Sequence, residues 1–124
     1  MKSDFQNNLF PDYKDIALTN HTVILVTVDT QEAAQAVAKI LVQERLAACI
    51  NIFPIHSIYI WERELQQAAE WQMVIKTDFN KFAEIELKLN EVHPYDVPEM
   101  IALPIQQGTS AYLAWMAAQT STDH

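Results

Sequence analysis

The sequence predicts an α+β chain of the ferredoxin-like kind, β-α-β-β-α-β with an added C-terminal helix. Three observations predict it. Two apolar, β-branched and aromatic runs within Ala47–Thr77 flank a polar patch, Glu64–Glu70, and read as the arms and tip of one long hairpin. A nearly continuous apolar run, Thr22–Thr30, comes before them and reads as a central buried strand. Helix-spaced stretches follow that strand and the hairpin, and a short strand and a last helix close the order of a split βαβ sandwich.

The elements follow in turn. Residues 1–20 are polar and without periodicity, a flexible arm in which Phe5, Leu9, Phe10 and Tyr13 can dock on the body. The folded unit spans 21–119, and 120–124 form a tail. After the first strand, Asp29 with Glu32 forms a capping-box start, and Ala33, Val37, Ile40 and Leu41 recur at helical spacing to about Leu46. In the hairpin, Ile58 and Ile60 point to one face and Tyr59 and Trp61 to the other, while Trp71, Met73 and Ile75 alternate in the returning strand. Pro54 cannot donate to a ladder and is expected at a bulge or bend. Asp78 or Asn80 caps a second helix with Phe82, Ile85, Leu89 and Val92 inward and Glu84 paired to Lys88. His93 before Pro94 ends it. Met100–Ile105, interrupted by Pro104, reads as an edge strand, and Thr109 or Ser110 starts a last helix with Tyr112, Trp115 and Met116 on one face.

The hairpin is too long for its own domain. Arms of about 15 residues reach roughly 50 Å at about 3.3 Å per residue. A domain of about 100 residues, with a radius of gyration near 13 Å, is only about 34 Å across. The overhang still carries Tyr59, Ile60, Trp61 and Trp71, and an apolar edge of that kind requires a partner.

Composition removes several function classes. Sixteen acids against eight bases give a formal charge of −8, which disfavours nucleic acid and anionic membranes and mildly favours cations. No run approaches a membrane span, and the first residues lack the apolar centre of a secretory signal. One cysteine, Cys49, allows no internal disulfide, so a reducing, cytoplasmic setting is expected. Gly108 is the single glycine, and phosphate cradles of the Walker or dinucleotide type need several. No enzyme is expected. His56 and Ser57 are adjacent in a strand and face opposite sides, and Glu62 with Glu64, roughly 6–7 Å apart on one face, have no enclosing pocket.

The strings LAACINIFP, SIYIWE, MVIKT, HPYDVPEMIALPI and YLAW, in that order and spacing, resemble the CutA family of divalent-cation tolerance proteins over about Thr22–Met116. The resemblance implies a ferredoxin-like subunit, a homotrimer whose hairpins wrap their neighbours, and an association with copper and other divalent cations. The chain departs from the family pattern where W-E-G-K is usual: it has Trp61-Glu62-Arg63-Glu64, and Arg63 cannot take a positive φ cheaply. Some members carry copper ligands where Val26 and Val92 stand here, which leaves His93 of that set.

The candidate metal ligands are therefore His93, Glu62 and Cys49. Each also has a plainer reading: a helix-end hydrogen bond, a solvated edge charge and a core thiol. Copper and zinc want several convergent Cys, His or carboxylate groups, and a trimer multiplies one or two ligands per chain to three or six. A second candidate is a small-molecule cleft at a subunit interface, with Lys76, Tyr95, Trp61 and Trp115 holding an anionic metabolite. That alternative is a trimeric signalling module similar to nitrogen-regulatory PII proteins, and a third is a stable trimeric scaffold.

Overall fold

The first strand, β1, runs His21–Val28 and is apolar on both faces because it lies inside the sheet. In the computed structural model, which describes residues 20–92 and 99–121, four strands lie in the order β2-β3-β1-β4. The partners are β2 (Cys49–Trp61), β3 (Glu64–Asp78) and β4 (Ile101–Pro104), and every pairing is antiparallel. Helix α1 (Gln31–Gln43) joins β1 to β2, α2 (Phe82–Val92) follows β3 through a 3₁₀ turn at Phe79–Lys81, and α3 (Ser110–Thr120) follows β4. This is the predicted sandwich with its long hairpin and final helix. The expected arm (residues 1–19 of it), His93, Tyr95 and the rest of the HPYDVP link, and 122–124 lie outside the described residues.

The core forms where alternation puts apolar side chains on one sheet face. Ile24, Val26, Met73 and Ile75 are fully buried there, against Val37 and Leu41 of α1 and Ile85 and Leu89 of α2. Two buried hydroxyls on that face keep their hydrogen bonds. Thr22 Oγ1 donates to Leu103 O at 2.8 Å and Thr77 Oγ1 to Leu46 O at 2.6 Å, so neither leaves an orphaned polar group. Lys88 Nζ meets Glu44 Oε1 at 3.2 Å, tying α2 to the end of α1. Glu44, rather than the expected Glu84, is its partner, because α1 and α2 pack side by side and Lys88 reaches the C-terminal cap of α1.

Several boundaries differ from expectation. Thr30 caps α1, its Oγ1 accepting from Ala33 N, one residue later than the Asp29 start; Ala34 is buried where Ala33 was expected, and the helix stops at Gln43. Arg45, at φ 60°, then turns the chain toward β2. Val92, expected inward, is 40% exposed at the last residue of α2. Asp78 caps the 3₁₀ turn rather than the helix, with Oδ1 accepting from Asn80 N at 2.7 Å.

The hairpin is the largest correction. Its tip is Glu62–Arg63, a two-residue turn with φ 50° and 67°, both positive as a type I′ turn requires. Glu64–Glu70 belongs to the returning strand. The register runs unbroken from Cys49↔Lys76 to Trp61↔Glu64, with Pro54 opposite Trp71, so there is no bulge at Pro54. The reason is position: β2 is an edge strand, where a missing N–H costs nothing when it faces away from the ladder.

Candidate functional site

β1 pairs with only the last eight of the fifteen residues of β3, Trp71–Asp78, which leaves seven, Glu64–Glu70, to pair with Ile55–Trp61 alone. At about 3.3 Å per residue this two-stranded ribbon projects roughly 23 Å beyond the sheet. Both of its faces are apolar. Ile58, Ile60 and Leu65 share one and are 64%, 64% and 65% exposed; Tyr59 and Trp61 share the other at 43% and 48%. Those faces are the predicted ones. A ribbon this thin cannot cover itself, because each strand has only one neighbour and, among the described residues, neither face has a second layer.

The face away from α1 and α2 is covered in part by α3. Thr109 caps that helix, Oγ1 accepting from Tyr112 N at 3.3 Å. His21 Nε2–H donates to Leu113 O at 3.0 Å, Met116 is buried against the sheet, and Arg45 Nη1 donates to Gln119 O at 3.3 Å. Two polar ties and one buried side chain thus fix the helix over the sheet. The Nδ1 of His21 is buried and has no hydrogen-bond partner among the described residues.

This docking builds a small constellation that the sequence indicated only in part. Lys76 Nζ lies 5.8 Å from the centroid of the Tyr112 ring, within cation–π range. Tyr112 in turn packs on Trp115, with centroids 5.5 Å apart and planes at 35°. Lys76 and Trp115 are therefore brought together through Tyr112, which was expected on the same helix face but not as a cleft residue. The i,i+3 spacing of two aromatics in SAYLAW is the signal that finds it. Trp61 shares this sheet face but sits twelve residues along the hairpin, about 40 Å away in the same chain.

The candidate metal ligands behave differently. Cys49 is free and half-buried at the start of β2, opposite Lys76, and Glu62 is exposed in the turn at the far end of the same strand. They are about 40 Å apart. Glu64 pairs across from Trp61 while Glu62 lies in the turn, so these two carboxylates are not the same-face strand pair expected. Among the described residues no three His, Cys, Asp or Glu side chains converge as metal ligands would. The residues of one chain described here do not make a copper or zinc site by themselves. His56, also on the hairpin, holds Gln67 Oε1 at 3.3 Å and faces away from Ser57. At the opposite end of the α3 face, the Gln72 amide donates to Val26 O at 3.1 Å and to Glu99 Oε2 at 3.3 Å, which holds Glu99 ahead of β4.

Comparison with known proteins accounts for this architecture. The model of the CutA1 divalent ion tolerance protein family matches residues 22–119. The chain belongs to that family. The CutA protein of Thermus thermophilus, a divalent-cation tolerance protein, is 43% identical over 99 residues, covering 79% of this chain and 96% of the relative. That of Archaeoglobus fulgidus is 40% identical over 96 residues, or 77% and 94% of the two chains. Its solved structure, described as a periplasmic divalent cation tolerance protein, superposes with a TM-score of 0.80 over 82% of this chain and 99% of that one, at 38% identity. The CutA1 structure from Oryza sativa gives 0.81 at 40% identity, over 85% and 97%. The CutA1 relationship thus extends over the sheet, the three described helices and the hairpin. No helix among the described residues is long and apolar enough to cross a membrane.

Proposed function

We propose that this CutA1-family chain is a homotrimeric binding protein for divalent cations, of the copper class, acting in metal-ion tolerance. It binds rather than catalyses, and its site is completed between subunits. One observation carries the reading: two of the candidate ligands, Cys49 and Glu62, lie at the two ends of a hairpin whose outer half has no layer beneath it among the described residues. Cys49 and Glu62 of one chain cannot meet, but the tip of one hairpin can approach the base of another when the ribbon lies across a neighbour. The family match supports the cation, and the acidic balance of the chain favours it further. His93 is the third proposed ligand. The cytoplasm, expected from the lone cysteine, is part of the same proposal, and cell fractionation tests it.

The test combines mass and metal. Sedimentation should give a species three times the 14.2 kDa chain at micromolar concentration. Calorimetric titration with Cu(II) should then show saturable binding that His93→Ala largely abolishes without changing that mass. A monomer, or unchanged Cu(II) affinity in His93→Ala, would contradict the assembly or the ligand respectively.

A second reading is favoured by the Lys76–Tyr112–Trp115 constellation: a module similar to PII proteins that binds a small anionic metabolite between subunits. A scaffold role is left if neither cations nor anions bind.

A further inference from the structure

We infer that Lys76, Tyr112 and Trp115 form a receptor for a small monocarboxylate with a planar apolar body. The inference rests on the second reading above and gives its ligand a chemical class.

The starting point is charge. Lys76 is half-buried on the α3 face of a central strand, and among the described residues no carboxylate lies within ion-pairing distance of it. Its register partners, Cys49 and Val23, carry no charge. Asp78, two residues further along the same face, turns its Oδ1 to Asn80 N at 2.7 Å. In a chain with twice as many acids as bases, a half-withdrawn ammonium without a carboxylate is the exception. Partial burial weakens its hydration, and the Tyr112 ring at 5.8 Å returns only part of that. A ligand carboxylate restores the rest.

The same facts select the class. One ammonium is a point charge with three N–H donors, enough for a single carboxylate. Polyphosphates take several cations together with a nest of backbone amides, which glycine-rich loops supply. This chain has one glycine and a net charge of −8, and a multiply charged anion meets that field at a disadvantage. The body of the ligand is set by the two rings. In the single chain Tyr112 and Trp115 are 41% and 42% exposed, so each has ring surface that its own subunit leaves uncovered. A planar apolar group laid beside them makes the offset or tilted contact that aromatic pairs prefer, with its carboxylate toward Lys76.

Benzoate is the probe, with benzamide as its uncharged isostere and inorganic phosphate and ATP as the other anions. Calorimetry and saturation-transfer NMR on the benzoate ring protons read binding to the full chain. Benzoate should bind, and benzamide should bind at least tenfold more weakly. Lys76→Met, which keeps the alkyl stem, should lose at least about tenfold in benzoate affinity, the scale of a hydrogen bond to a charged group. Lys76→Arg should retain most of it, and matching melting and sedimentation would show that both variants fold. Equal benzoate affinity in Lys76→Met, or equal affinity for benzamide, overturns the proposal. Lys76-dependent binding of phosphate or ATP with no response to benzoate overturns the carboxylate class and leaves the small-anion reading intact. No response to any of the three anions fails both.

Discussion

Replacing Ile60 by Asp puts the assembly reading under its most direct test. Ile60 is 64% exposed in the single chain, so its own subunit supplies only about a third of its possible burial. Full burial of an isoleucine is worth roughly 1.5–3 kcal/mol, of which under 1 kcal/mol is thus already realised on folding. The remaining 1–2 kcal/mol, roughly, appears only when a neighbour covers the ribbon. A carboxylate in that place forfeits this gain and must also shed water, at a further cost of several kcal/mol per ion. The total is about 4 kcal/mol or more per subunit, or about three powers of ten in each association constant at 1.4 kcal/mol per decade. Folding of the isolated chain should change by less than about 1 kcal/mol, since Asp at the end of an exposed ribbon stays hydrated. Sedimentation velocity across a concentration series reads the first quantity, and circular dichroism read at concentrations where the chain is monomeric reads the second. Ile60→Val, which removes one methyl group, should keep the mass of the parent. The reasoning is refuted if Ile60→Asp sediments as the parent does at every concentration, because the ribbon would then lie outside any interface.

Two further expectations concern the elements that position these surfaces. Arg63 sits at φ 67° in the hairpin turn, a conformation costing an L-residue roughly 1–2 kcal/mol, so Arg63→Gly should stabilise the chain by about 0.5–1 kcal/mol after the entropy of glycine is counted, read as a higher urea midpoint at unchanged slope. A lower midpoint would mean that the arginine side chain makes contacts outweighing the strain. Thr109→Ala removes the cap of α3 and should cost about 1 kcal/mol, with a change in indole fluorescence because Trp115 rides on that helix; equal stability would show that the other ties of α3 suffice.

The elements whose pattern is decided by a buried face could be read from the sequence, and those decided by local turn chemistry could not. Thr22–Val28, Met73 with Ile75, and Ile85 with Leu89 carry their periodicity because one sheet face and its two helices are dry. The hairpin tip was misplaced because the described residues of the same chain put no second layer on the ribbon beyond the sheet, so Glu64, Gln66 and Gln67 look like a loop while pairing as a strand. Glu62–Arg63 carries none of the Asn or Gly that usually marks a type I′ turn. Pro54 signalled a bulge because a sequence does not say which strand will stand at an edge. The site was half legible for a related reason. Lys76 stands out as a cation in an apolar strand, but its neighbour Tyr112 comes from an element 36 residues later, and only the docking of α3 brings them together. The separation of Cys49 from Glu62, by contrast, follows from chain length alone once β2 is known to be straight.

The strand order has a consequence for the making of the protein. β1 is synthesised first and ends in the middle of the sheet, where Ile24 pairs with Ile75 on one side and with Ala102 on the other. The β2–β3 hairpin needs only its own turn to form, but neither neighbour of β1 exists until much of the chain has left the ribosome. At about 5–20 residues per second, one edge of TVILVTV waits several seconds for the residues of β3 and the other waits longer for those of β4. During that interval an apolar strand with free backbone groups is open to pairing with any nascent copy nearby. Slow codons placed between residues 78 and 101 would lengthen the period in which β3 is seated and the opposite edge is bare. The yield of native protein should therefore depend on the speed of translation between residues 28 and 101 more than on its speed elsewhere.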